Sequence, residues 1–197
     1  MKKIMNDKPI FLYSKVRDVK SIERGTSKSA GIDFFIPTFT HEFMTDFVAK
    51  NPCVSMIRPE TYSYLLMNYP NLKSVFLAPH ERLLIPSGIK LKGHDSTALI
   101  MFNKSGVSVK KGLDILACVI DSDYMGEIHI SILNTSNHIV EIKEGEKIIQ
   151  GTETPIIFSE FKEVPEAELF KNKTERGSGG FGSTNKNKSK DTDTKAN

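Results

Sequence analysis

Two stretches of this 197-residue chain combine residue types that can do chemistry on a nucleotide-like ligand. The first, Ile120-Asp121-Ser122-Asp123-Tyr124-Met125-Gly126-Glu127, puts two aspartates and a tyrosine directly after an apolar run. A carboxylate at such a hairpin, Asp121 foremost, can orient and deprotonate a water molecule. Asp and Gly also make ordinary turns between strands, so the pattern alone supports both readings. The second, Arg176-Gly177-Ser178-Gly179-Gly180-Phe181-Gly182-Ser183-Thr184, holds four glycines in nine residues. Such a backbone approaches a ligand closely. Its N–H groups and the hydroxyls of Ser183 and Thr184 match phosphate oxygens, and Arg176 can fork onto a phosphate. Phe181 can stack on a base. A flexible Gly/Ser linker is the plainer reading of the composition. A third stretch, Asn103-Lys104-Ser105-Gly106-Val107, offers charge, hydroxyl and backbone N–H to a phosphate but lacks P-loop spacing, and a surface lysine in a Ser-Gly turn is its plainer reading. Ala30-Gly31-Ile32-Asp33-Phe34 and Gly145-Glu146-Lys147-Ile148-Ile149-Gln150 read on their own as strand edges.

These segments need a scaffold, and the pattern around them predicts strands. Glu127 to Ile132 alternates polar and apolar residues, the period of a half-buried strand. Thr97 to Phe102, Ile115 to Ile120, His138 to Ile142 and Lys147 to Gln150 are short runs rich in β-branched residues. Phe11 to Tyr13 and Ile32 to Ile36 add strands near the start. Turn formers separate the runs, among them Pro86-Ser87-Gly88, Gly93-His94-Asp95 and Asn134 to Asn137. Many short strands with regular turns predict an all-β sandwich or barrel. Residues 38–74 break the pattern. Phe43, Phe47 and Val48 follow helical spacing behind Thr40, a candidate N-cap, and Pro59 to Asn68 suits a second short helix. This stretch reads as a helical insertion in a β domain of residues 1–170. The Gly-rich segment 171–184 and a disordered end, 185–197, follow.

Composition narrows the classes. Hydrophobic residues make up 39%, enough for one domain with a core. The net charge is only +3, with lysines gathered near the C-terminus. The folded part is then near neutral and shows no electrostatic footprint for nucleic acid. Two cysteines, Cys53 and Cys118, are too few for a disulfide framework or a thiolate zinc site. Reduced thiols, with neither a signal peptide nor a bilayer-length apolar run, predict a cytoplasmic protein without membrane attachment, in the host cytoplasm if the source is viral.

Taken in order, five segments resemble the five motifs of the trimeric dUTPase family. They are Ala30 to Asp33, Lys104 to Gly106, Gly112-Leu113 through Glu127, Gly145 to Gln150, and Arg176 to Thr184. The resemblance implies a distorted jelly roll that forms a homotrimer, with active sites shared between chains. It implies hydrolysis of dUTP to dUMP and pyrophosphate, with Asp121 activating water against the α-phosphate. Tyr124 would lie under the deoxyribose and exclude a 2′-OH. Backbone between Leu113 and Val119 would read the uracil edge. Lys104, Ser105, Gly106 and Gln150 would hold phosphates, and Asp33 would organise the water shell of a Mg²⁺ ion carried mainly by the phosphates. Arg176 would grip the terminal phosphates while Phe181, Gly182, Ser183 and Thr184 close over the nucleotide.

Several positions depart from that family's pattern. Asn103 stands where Pro is usual, Cys118 where Gly is usual, and Asn185 where Gly is common. Lys104, Met125 and Lys147 each stand where Arg is usual. A lysine is a point charge without the bidentate fork. Two other readings remain open at this stage. A dCTP deaminase shares the fold but would need a different acid–base centre in place of Asp121 and Tyr124. A regulatory protein on the same scaffold would use the insertion, with Phe43, Phe47, Tyr62, Tyr64 and Tyr69, to bind a protein partner; the plainer role of those aromatics is packing onto the β domain.

Overall fold

The computed structural model describes residues 11–54 and 73–180. Their strands are β1 (Leu12–Lys15), β2 (Ile32–Phe35), β3 (Ser74–Leu77), β4 (Arg82–Pro86), β5 (Ile89–Lys92), β6 (Thr97–Asn103), β7 (Leu113–Ile115), β8 (Val119–Ile120), β9 (His129–Asn134), β10 (Val140–Lys143) and β11 (Lys147–Pro155). They form small sheets ordered β2-β11-β6-β8, β4-β9-β7, β10-β3 and β1-β5. Every pairing is antiparallel. The result is the distorted all-β jelly roll that the strand pattern and the resemblance imply. Phe34, Leu77, Ile130 and Ile142 are fully enclosed at the centre of one apolar core. In β9 the buried positions alternate with half-buried ones, as the sequence period requires.

The core also takes in a helix. α1 (His41–Lys50) starts at Thr40, whose hydroxyl accepts the Phe43 N–H at 3.2 Å. Such a cap contributes about 1 kcal/mol. Phe43, Met44 and Phe47 are each 1% exposed, and the rings of Phe39, Phe43 and Phe47 stack at 5.4 and 5.6 Å. Phe43 and Phe47 are thus packing residues, not part of a free contact surface. The second helix expected over Pro59 to Asn68, with Tyr62, Tyr64 and Tyr69, lies outside the described residues.

Two elements differ from the sequence pattern. The run Ile115 to Ile120 is not one strand. β7 pairs with β9 while β8 pairs with β6, so the chain crosses between sheets at residues 116–118. Leu116 N–H donates to Ser131 O and Met101 N–H to Cys118 O on either side of that bend. The Ser-Gly stretch after Lys104 is a helix, α2 (Ser105–Lys111), rather than a turn. Its Val, Ser and Gly are weak helix formers. Termination by Gly112 in the left-handed conformation and Lys110 and Lys111 in the last turn favour it.

The chain divides into two compact units, 1–158 and 159–197. The second contains a short helix, α3 (Glu166–Leu169). Among the described residues no helix is long and apolar enough to cross a membrane.

Asn51 fastens α1 to the β fold. β4 turns the Leu84 backbone groups away from β9, and the buried Asn51 amide replaces the missing strand. Its Nδ2 donates to Leu84 O (2.8 Å) and Phe47 O (2.7 Å), and its Oδ1 accepts Leu84 N–H at 2.8 Å. Asn51→Ala strands these backbone groups, at a cost of about 2–4 kcal/mol. The midpoint of thermal unfolding should drop by roughly 5–15 °C. Calorimetry of the variant checks this, and an unchanged melt would deny the amide its role as a surrogate strand.

Candidate functional site

The antiparallel sheet gathers one group of polar residues at the end of β6. Gln150 of β11 stands opposite Asp33 of β2 on one side and Phe102 of β6 on the other. Asp33 is 3% exposed. Lys104, just past β6, bonds one carboxylate oxygen, and Lys147 bonds the other at 2.9 Å. Burial alone would raise the Asp33 carboxyl. Hydrogen bonds and charge from the two lysines outweigh it and hold the group below the usual aspartate value. A buried charge of this kind persists only with such pairing.

The Gln150 amide is fixed in the same place. Its Nε2 donates to Asn103 O at 2.9 Å. A side chain on Gly31 would meet the amide oxygen of Gln150 at 2.0 Å and would displace that amide from its present position. Ser105 and Gly106 open α2, where the first N–H groups lack intrahelical acceptors. A Cβ at Gly106 would meet nothing within 4 Å. The glycine is therefore not demanded by contacts within the chain, and the open space suits a ligand.

A second group lies at the opposite end of the same strand pair. Ile120 stands opposite Leu99. Lys104 is five residues beyond Leu99, roughly 16 Å away at ~3.3 Å per residue. Asp121 continues past Ile120 in the direction away from Lys104 and is exposed. Tyr124 N–H donates to Asp121 O at 3.2 Å, and its hydroxyl donates to Glu127 O at 3.0 Å. The phenol lies against Gly126, where a Cβ would come within 2.3 Å of the hydroxyl oxygen. Tyr124 is 43% exposed and borders a surface cavity of about 800 Å³ together with Leu12, Tyr13, Lys92 and Asp123.

The remaining expected residues divide between these places and others. Val119 is exposed next to the bend, but Leu113 is not at the surface: it is 3% exposed and paired with Asn134 in β7–β9. Its side chain belongs to the core because β7 turns that face inward. Arg176 lies in the second unit, where its Nε donates to Gly179 O at 2.9 Å. Phe181, Gly182, Ser183 and Thr184 lie outside the described residues.

Asn103 has a role that sequence reading passed over. Its Nδ2 donates to Asp114 Oδ1 at 2.5 Å, and its Oδ1 accepts Ile115 N–H at 2.9 Å. With the Gln150 bond to its carbonyl, it ties the starts of α2, β7 and β11 together. The clue was its standing where the similar family has proline, which carries no side-chain amide.

Comparison with known proteins bears on the family and the fold. The dUTPase family model matches residues 71–185. A deoxyuridine 5'-triphosphate nucleotidohydrolase of Nautilia profundicola is 38% identical over 118 residues, 59% of this chain and 80% of that protein. One from Finegoldia magna is 37% identical over 113 residues, covering 56% and 76%. The fold is similar to the dUTPase of Staphylococcus bacteriophage 80alpha with dUPNHPP, with a TM-score of 0.62 at 22% identity over 88% of this chain and 97% of that one. A dUTPase variant from phage phi11 of S. aureus, which coordinates a structural Mg(II) ion, has a TM-score of 0.56 at 20% identity over 81% and 99%. This chain belongs to the dUTPase family of nucleotide hydrolases.

Proposed function

We propose that the chain hydrolyses dUTP to dUMP and pyrophosphate as a homotrimer, with each active site assembled from more than one copy. The observation that carries this reading is the distance between the two polar groups. Asp121 and Tyr124 stand at one end of the β6–β8 pair, and Lys104, Asp33 and Gln150 at the other, roughly 16 Å along the strand. A water activated by Asp121 must attack a phosphorus whose oxygens are held beside Lys104. Reacting atoms need to approach within ~3–3.5 Å. A second copy supplying its Asp121 hairpin to the first copy's phosphate group satisfies both requirements.

In this reading Asp121 accepts a proton from water as its oxygen attacks the α-phosphorus. The bond to the bridging oxygen breaks and pyrophosphate leaves. Ser105 and Gly106 offer backbone N–H groups to the phosphates, and Lys104 exchanges its Asp33 contact for a phosphate oxygen. Tyr124, braced against Gly126, presents a wall to C2′ of the sugar, so a ribonucleotide is rejected by clash. The bend at Leu116 to Cys118, next to Val119, offers main-chain groups to the uracil edge; Leu113 contributes through the backbone of β7 and not by its side chain. Arg176 and the residues through Thr184 close over the bound nucleotide and exclude water.

The donor set suits a Mg²⁺ ion that enters with the triphosphate. Among the described residues no group of three His, Cys, Asp or Glu could hold a metal. Mg²⁺ binds readily through phosphates and water alone. Asp33, engaged by two lysines, would touch only that water shell. The ion neutralises charge on the phosphates. The reading sets the enzyme in the cytoplasm, where the free thiols Cys53 and Cys118 stay reduced.

Asp121→Asn should keep nucleotide binding and lower turnover of dUTP by about a hundredfold or more, the range for a lost general base. Pyrophosphate release together with dUMP binding checks it, and unchanged turnover would remove Asp121 from its role. Truncation before Arg176 should reduce kcat/KM by about tenfold or more while leaving the melting temperature of the β domain intact. Full activity without the tail would contradict closure.

A further inference from the structure

Arg17 lies between β1 and β2, outside the five motifs, yet it joins α1 to the hairpin that carries Tyr124. Its side chain is 16% exposed. Nε donates to Glu127 Oε1 at 2.7 Å and Nη2 to Oε2 at 2.9 Å, a bidentate fork. Nη2 also reaches Asp46 Oδ2 of α1 at 2.5 Å, and Lys50 holds the other Asp46 oxygen at 2.5 Å. The guanidinium carbon is 5.8 Å from the centre of the Phe43 ring, another α1 residue. Glu127 Oε1 takes one more hydrogen bond, from Gly88 N–H at 2.7 Å.

The backbone of Glu127 meets the site. Its carbonyl accepts the Tyr124 hydroxyl at 3.0 Å, and His129 Nδ1 lies 2.8 Å from the same oxygen. One residue therefore grips Arg17 with its carboxylate and holds Tyr124 with its carbonyl. The Glu127 side chain is only 13% exposed. Without the fork, its charge would be left with the Gly88 N–H and would turn toward water. The Glu127 carbonyl would then shift away from the phenol.

We propose that Arg17, braced by Asp46 of α1, is a positioning residue that fixes the Tyr124 ring, so that α1 sets the discrimination between deoxyribo- and ribonucleotides. The inference rests on the reading of Tyr124 as the wall against the 2′-OH. Bidentate arginine–carboxylate pairs carry geometric specificity as well as energy. A lysine keeps the charge but loses the fork. Asp46→Asn leaves the fork on Glu127 but weakens its brace.

The test measures kcat/KM for dUTP and for UTP in full-length Arg17→Lys, Asp46→Asn and Tyr124→Ala, with thermal melts of each. Arg17→Lys should lower the dUTP/UTP ratio by about fivefold or more, and Asp46→Asn by a smaller factor in the same direction. Tyr124→Ala should lower it most. A purely structural arginine would reduce both substrates together and leave the ratio unchanged. If the ratio responds to Tyr124→Ala but to neither Arg17→Lys nor Asp46→Asn, the positioning role is overturned while the sugar wall stands. If it does not respond to Tyr124→Ala, both fall. Asp46→Asn keeps the test decisive should Arg17→Lys melt below the assay temperature.

Discussion

The pairing of β8 with β6 governs what this chain can do. By setting Ile120 opposite Leu99, it fixes Asp121 at one end of a strand whose other end leads into Lys104. Strands do not stretch, and a register slip of one residue would turn the buried Leu99 and Met101 of β6 to the other face. Leu99 and Met101, 3% and 1% exposed, hold that register by burial. The separation between the candidate base and the phosphate group is thus a property of the core. In the proposed function that separation is closed between copies of the chain rather than within one.

The polar residues around this framework are constrained in two different ways. At the Lys104 end, Asp33 is buried, and Lys104 and Lys147 hold both its oxygens and keep its carboxyl below the usual aspartate value. Breaking such a pair without a replacement costs several kcal/mol. In the proposed function a triphosphate would replace the lysine's partner, and water around its metal ion the carboxylate's. The cluster is therefore stable without ligand yet built from groups that a ligand can engage. At the other end, Tyr124 is held by backbone contacts, and its anchor runs through Glu127 and Arg17 to α1. The helix α1, packed into the core through Phe43 and Phe47, is continuous with that anchor.

Much of this was legible in the residue pattern, because period and turn chemistry act locally. Strand alternation in β9 and the Thr40 cap of α1 follow directly from spacing. The bend at residues 116–118 was not legible. An apolar run looks the same whether it pairs with one sheet or crosses between two. α2 escaped because its Ser-Gly-Val-Ser-Val composition argues for a turn, and its stability comes from its ends. Leu113 lies in a motif, but the inward face of β7 is set by pairing with β9. Asn103, Arg17 and Asp46 act through partners 11 to 110 residues away, a distance that no local pattern encodes.

The central claim, that one copy brings Asp121 to another copy's Lys104, can be tested by mixing two disabled chains. Asp121→Asn and Lys104→Ala, each with its own affinity tag, would be co-expressed and purified through both tags, so that every assembly contains both variants. In a closed three-fold ring of two chain types, one interface in three joins an intact aspartate to an intact lysine, which predicts recovery of about a third of unmodified turnover. Mixed assemblies no more active than either variant alone would contradict the account and return base and phosphate contacts to a single chain.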